Sequence, residues 1–264
     1  MPPRRRIVVI AIGGLLAFAA IASAQVRSGV VQVPNGNSLP LQQHGAQLYA
    51  ANCATCHGID GRGVPTPRPG AGDVAGLGPP LTPSGAQAAD LYLRTGYMPL
   101  DNPKDQPYRH RVLFTEGEIK ALVAYVASLD NGPPVPSVHP ERGSLSDGFD
   151  LFSEHCAGCH QVVGRGGVAT GARVPPLDKA TPTEIAEAVR VGPYVMPSFS
   201  RRDISDRQLD SIIAYVMRSQ HPVDRGGWGI GNLGPFPEGM ITWLIGGIAL
   251  ICFCLAIGKR IGSS

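Results

Sequence analysis

The sequence predicts an all-α protein: two tandem helical domains followed by one C-terminal transmembrane helix. Three observations carry this. One set of landmarks runs through the chain twice in the same order. Each copy places apolar residues at helical spacing behind helix-start signals, and no alternating apolar run reads as a sheet. Near the C-terminus, residues 239–258 form a 20-residue stretch without a charge. At about 1.5 Å rise per residue such a stretch crosses a ~30 Å hydrocarbon core.

Composition narrows the function classes. The chain has 264 residues, 43% hydrophobic and 16% charged, with a formal net charge of +3. That charge is too mild for a nucleic-acid binder. The 34 Gly and 25 Pro follow no triplet period, which excludes collagen. Six cysteines are too few for a disulfide scaffold, so their spacing carries the information.

The N-terminus, residues 1–24, reads as a signal peptide or an N-terminal anchor. Arg4, Arg5 and Arg6 precede a 16-residue apolar run, residues 7–22, and Ala22-Ser23-Ala24 ends it. These are the parts of a secretory signal. In either reading the arginines stay inside and the following chain is exported. At the other end, Lys259-Arg260 marks a cytoplasmic C-terminus, and Trp243 is expected near the outer interface. Residues 25–238 are therefore expected on the extracytoplasmic face of the plasma membrane.

Between these ends lies the duplication. Gly45, Leu48, Tyr49, Cys53, Cys56 and His57 return as Gly148, Leu151, Phe152, Cys156, Cys159 and His160, each 103 residues later. Pro79-Pro80-Leu81 returns as Pro175-Pro176-Leu177. Arg94, Gly96 and Met98-Pro99 return as Arg190, Gly192 and Met196-Pro197. Leu122 to Val126 answers Ile212 to Val216. Two domains follow, at 41–130 and 146–220. A Pro-rich linker, 131–145, reads as a semi-rigid spacer, and 221–238 is a juxtamembrane connector.

Within each copy, an opening helix holds Leu48/Tyr49 or Leu151/Phe152 and runs into the cysteines. A middle helix is expected to begin at Thr82-Pro83 or Thr181-Pro182, an N-cap with Pro at the first helical position. A final helix begins at Thr115-x-x-Glu118 or Ser205-x-x-Gln208, both capping boxes. Residues 58–80 hold seven Gly and five Pro, so this loop packs little of itself and something else must fill the core.

Cys53-Ala54-Thr55-Cys56-His57 and Cys156-Ala157-Gly158-Cys159-His160 are both C-x-x-C-H, the spacing of covalent c-type haem attachment. Two thiols three positions apart reach the two vinyl groups of one porphyrin, and the next histidine sits beneath the iron. A methionine thioether suits the sixth position and raises the potential of the couple. Met98 and Met196 follow their histidines by 41 and 36 residues. Core packing is the other reading of these two methionines, and a zinc site the other reading of the C-x-x-C pairs. Two such motifs in exported chain, each with a downstream Met, favour haem. Pro80 and Pro176 are expected against the ring, with a nearby backbone carbonyl on the histidine's second nitrogen. His44, His110, His139, His155 and His221 have no repeated placement and read as surface or loop residues.

The order C-x-x-C-H, Pro, Met-Pro, then a helix with Ala-Tyr-Val resembles the class I cytochrome c domain, twice over. With the export signal and the C-terminal helix, the chain resembles the diheme cytochrome c subunit of the actinobacterial cytochrome bc (quinol–cytochrome c reductase) complex. The resemblance implies two covalently bound haem c groups, with His57 and Met98 on one iron and His160 and Met196 on the other. It implies cytochrome b and the Rieske iron–sulfur protein as partners and a terminal cytochrome oxidase as electron acceptor. The subunit would carry electrons within an oxidoreductase complex and have no catalytic site of its own. A diheme subunit of a dehydrogenase or another oxidase, a diheme peroxidase and a zinc-stabilised interaction module are the alternatives.

Overall fold

The computed structural model describes residues 29–33, 36–64, 78–100, 102, 106–221 and 235–261. Residues 1–24, part of the glycine-rich loop and most of the connector lie outside the described residues. The described chain is mostly helical. In the first domain the helices are α1 (Leu41–Asn52), α2 (Ala54–His57), α3 (Gly85–Arg94) and α4 (Glu116–Ala127). In the second they are α5 (Leu145–His155), α6 (Ala157–His160), α7 (Pro182–Val191) and α8 (Asp206–Gln220). A last helix, α9, spans Pro235–Ile261. Residues up to Gln220 form one compact unit and those from His221 a second.

Each domain is built on one helix pair, α1 on α4 and α5 on α8. Leu48, Tyr49, Ile119 and Leu122 are buried in the first core, and Phe152, Leu209, Ile212 and Ile213 in the second. The repeated glycine is the crossing point. A Cβ on Gly45 would collide with the carbonyl of Ala121, and one on Gly148 with the carbonyl of Ser211. Gly148→Ala is therefore expected to pry α5 from α8 and to cost about 1–3 kcal/mol. A denaturant melt of the haem-loaded full chain measures this, and an unchanged midpoint would contradict the packing.

The capping boxes form as the spacing predicts. Thr115 Oγ1 accepts from Glu118 N at 3.3 Å while Glu118 accepts from Thr115 N at 2.6 Å. Ser205 and Gln208 exchange the same pair of bonds, and Thr181 caps α7 with Pro182 at its first turn.

Three expectations are corrected. Helix α3 starts at Gly85, with Ser84 at its N-cap making no side-chain bond. Thr82-Pro83 instead occupies a turn closed by Ser84 N to Leu81 O, 3.0 Å. Second, the second domain carries a short antiparallel hairpin, β1 (Gly167–Ala169) with β2 (Ala172–Val174). Its connection, Thr170-Gly171, has φ of 51° and 81°, the two positive values a tight primed turn needs. Third, His44 is buried, its ring against Gly36.

The linker does not hold the domains apart. Its backbone is pinned on one side by Gln87 N to Pro133 O, 3.1 Å. On the other side His139 N donates to Asp210 Oδ1 at 2.7 Å. Helices α3 and α7 pack directly on one another. This contact buries Glu187 beside the Asp90 carboxyl. Burial, then the neighbouring Asp90 carboxyl, push Glu187 up to about 9; Arg94 pulls it down and Glu184 adds to the rise. Between about pH 4.5 and 9 the folded protein holds a proton here that the unfolded chain releases, so stability falls as pH rises through this window. Glu187→Gln is expected to flatten that slope and to stabilise the protein at pH 8 by on the order of 2 kcal/mol. Thermal melts across the window test it; a slope equal to that of the parent would exclude Glu187 as its source.

The last helix belongs to the second unit. Its apolar segment Gly239–Lys259, 21 residues long, is nowhere buried. Trp243 and Leu244 are exposed with the rest. Length and composition fit a membrane anchor.

Candidate functional site

Both motifs are built alike. The opening helix ends at the first cysteine, where Cys53 N donates to Tyr49 O and Cys156 N to Phe152 O, each 2.8 Å. A single helical turn follows, and His57 N and His160 N bond back to Cys53 O and Cys156 O at 3.0 and 2.9 Å. Cysteines three apart on such a turn share one face. The chain then leaves through a left-handed residue, Gly58 at φ 76° or Gln161 at φ 62°. Gln161, which has a Cβ, is held there by its own amide, Nε2 to Gly166 O at 2.7 Å.

The histidines are oriented as expected. His57 Nδ1 lies 2.8 Å from Pro79 O, and His160 Nδ1 lies 3.2 Å from Pro175 O. A carbonyl can only accept, so Nδ1 carries the proton and Nε2 keeps a lone pair able to bind a metal. Burial also holds His160 below the ordinary imidazole range, which favours the neutral ligand form. Burial pushes the Cys53 thiol up to about 12 and the Cys156 thiol up to about 11. Burial thus favours the neutral thiol at both positions. Among the described residues no three His, Cys, Asp or Glu converge on a common point.

In the second domain the structure brings the ligand candidates together. Cys156, Cys159, His160 and Met196 line one cavity of about 270 Å³, with Pro176 and Ile185 among its apolar walls. This donor set fits a porphyrin: two thiols, an oriented imidazole and a thioether around an apolar space. His155 also lines the cavity, with its ring edge-on to Phe199. In the first domain His57 is fixed against Pro79, and Met98 stands in the turn after α3, its N–H on Tyr92 O at 3.1 Å. Residues 65–77 of the loop between them are outside the described residues, and no described cavity joins His57 to Met98.

Several contributors escape sequence reasoning. The repeated arginine is one. Arg190 Nη1 bonds the carbonyls of Phe199, Ser200 and Ile204 at 2.7–3.1 Å, tying the loop after Met196 to the start of α8. Arg94 makes a fork with Glu116 at 2.6 and 3.0 Å. A tyrosine hydroxyl anchors each motif's exit loop, but from different helices: Tyr49 on α1 to Gly58 O, Tyr215 on α8 to Val162 O, each 2.7 Å. The second cavity is also lined from the first domain, by Tyr97, Gln106 and Arg109 among others.

Comparison with known proteins agrees with this construction. Residues 42–130 match the family described as cytochrome c, and residues 143–216 match cytochrome c oxidase, cbb3-type, subunit III. The chain is 32% identical over 267 residues to the "Cytochrome bc1 complex cytochrome c subunit" of Corynebacterium diphtheriae, covering 94% of this chain and 91% of that protein. It is 35% identical over 263 residues to the protein of the same description from Mycobacterium bovis, covering 94% and 90%. A cytochrome c6 from Bryopsis maxima is 31% identical over 87 residues, 29% of this chain and 93% of that protein. With two cytochrome c domains, which imply covalently bound haem c, and relatives aligned nearly end to end, the chain belongs to the family of cytochrome bc1 complex cytochrome c subunits.

Proposed function

We propose that this subunit carries electrons from the Rieske centre of a quinol-oxidising cytochrome bc complex to a terminal oxidase, through two covalently held haem c groups. The observation that carries the reading is the paired motif: two C-x-x-C-H turns with their histidines on proline carbonyls, in a chain aligned over 94% of its length with bc1 cytochrome c subunits. Each iron porphyrin, when bound, supplies a one-electron couple. The chain does the rest. Cys53/Cys56 and Cys156/Cys159 would anchor the groups, His57/Met98 and His160/Met196 would ligate the irons, and the apolar walls of the second cavity would limit water. With both protein ligands on each iron the subunit would pass electrons only, and turnover would belong to the complex. Cytochrome b and the Rieske protein are the partners. The helix over 239–258 anchors the subunit in the plasma membrane, haem domains outside and C-terminus inside.

The test is to purify the tagged chain from membranes, extract with acidified acetone, and quantify what colour stays on the polypeptide. Two haems per chain, with cytochrome b and the Rieske subunit co-purifying, are expected. A dehydrogenase in their place would assign the chain to another complex, and peroxide turnover by the isolated chain would mean an exchangeable sixth ligand.

A further inference from the structure

The cavity of the second domain is lined in part by the first. Met98 of the first domain is a ligand candidate for the first iron, and its neighbour Tyr97 lines the second cavity together with Gln106 and Arg109 of the segment 106–109. Two cross-domain contacts hold this segment. The Gln106 side-chain amide pairs with the Arg173 backbone in both directions, Nε2 to O at 3.1 Å and Oε1 from N at 3.2 Å. Arg109 Nη2 donates to Glu184 Oε1 at 2.7 Å. Glu184 is buried, and its other oxygen accepts from Thr181 N at 2.9 Å, so the carboxylate is fixed at the helix start and fixes Arg109 in turn.

Arg109 thus faces an apolar cavity with a charge and spare donors. A guanidinium has five N–H groups, and among the described residues only Glu184 accepts from this one. A haem brings two carboxylates, and a buried carboxylate requires a cation or donors beside it. We propose that the second haem is bound by both domains, with Arg109 of the first domain receiving a propionate of the second haem and holding its reduction potential up. A fixed positive charge favours the state with one more electron. The contact between domains therefore sets how an electron divides between the two haems.

The proposal rests on His160 and Met196 being the second iron's ligands. The experiment is an optical redox titration of the full chain in detergent, haem content first. The wave that moves in Met196→His marks the second haem. In Arg109→Gln that wave is expected to fall by about tenfold in the constant that partitions electrons between the haems, about 59 mV for a one-electron couple, while the first wave stays. Arg109→Lys keeps the charge and restores most of the shift. Glu184→Gln removes the acid that offsets Arg109 and is expected to move the same wave up, an independent arm should Arg109→Gln misfold. With two haems bound, a second wave that moves in neither variant, or a shift of the first wave alone, overturns the proposal. A chain with fewer than two acid-resistant haems overturns the underlying reading instead.

Discussion

Replacing both cysteines of the second motif, Cys156→Ala with Cys159→Ala, is expected to halve the acid-resistant haem and to melt the second domain while sparing the first. Cys156, Ala157, Leu177 and Met196 pack from the cavity side onto the buried cluster of Phe152, Ile185 and Ile212. That cavity measures about 270 Å³. Without the group these apolar walls meet water, a loss of about 1.5–3 kcal/mol for each large side chain uncovered, and a few such losses match the whole stability of an ordinary domain. Without thioethers, only His160 and Met196 would retain the group, and dilution would remove it. The first domain has a separate core around Leu48 and Leu122, so its haem and helices persist. Haem per polypeptide after acid extraction, together with thermal melts, reads the outcome. Two retained haems, or a second domain that stays folded with one, would contradict the account.

Met196→His is expected to have the largest effect on potential. A thioether favours ferrous iron, and replacing it with imidazole favours ferric iron, lowering the couple. The second wave should fall further than in any charge variant, and electron delivery to the oxidase should slow because the step onto this haem becomes less favourable. Met98→His should do the same to the first wave. The rigid setting makes the ligand swap clean: Met196 N is held by Pro193 O at 3.0 Å, and Phe199 N by Val189 O at 2.8 Å. A titration with both waves unmoved would defeat the methionine assignment.

What the sequence shows directly is local chemistry. Caps, apolar spacing, the cysteine motif and the membrane stretch each depend on residues a few positions apart, and each is found where it was expected. The start of α3 is not, because a distant segment decides it. Gly85 has φ of 63° and lies against Gly132 and Pro133 with no room for a Cβ, so the turn must finish before the helix begins. The hairpin over 167–174 is too short to show a period. His44 is buried by residue 36, not by its own helix. Arg109 and Glu184, 75 positions apart, meet where residues 106–109 bond across to the second domain, and no periodicity encodes that.

The segment over 97–109 has a consequence for ancestry. The halves share one repeated pattern of landmarks, yet residues of the first line the cavity of the second. A gene fragment carrying the second half alone would encode a cassette with one side missing. Once such sharing is established, the duplication cannot be undone one copy at a time, and the pair is inherited as a single part.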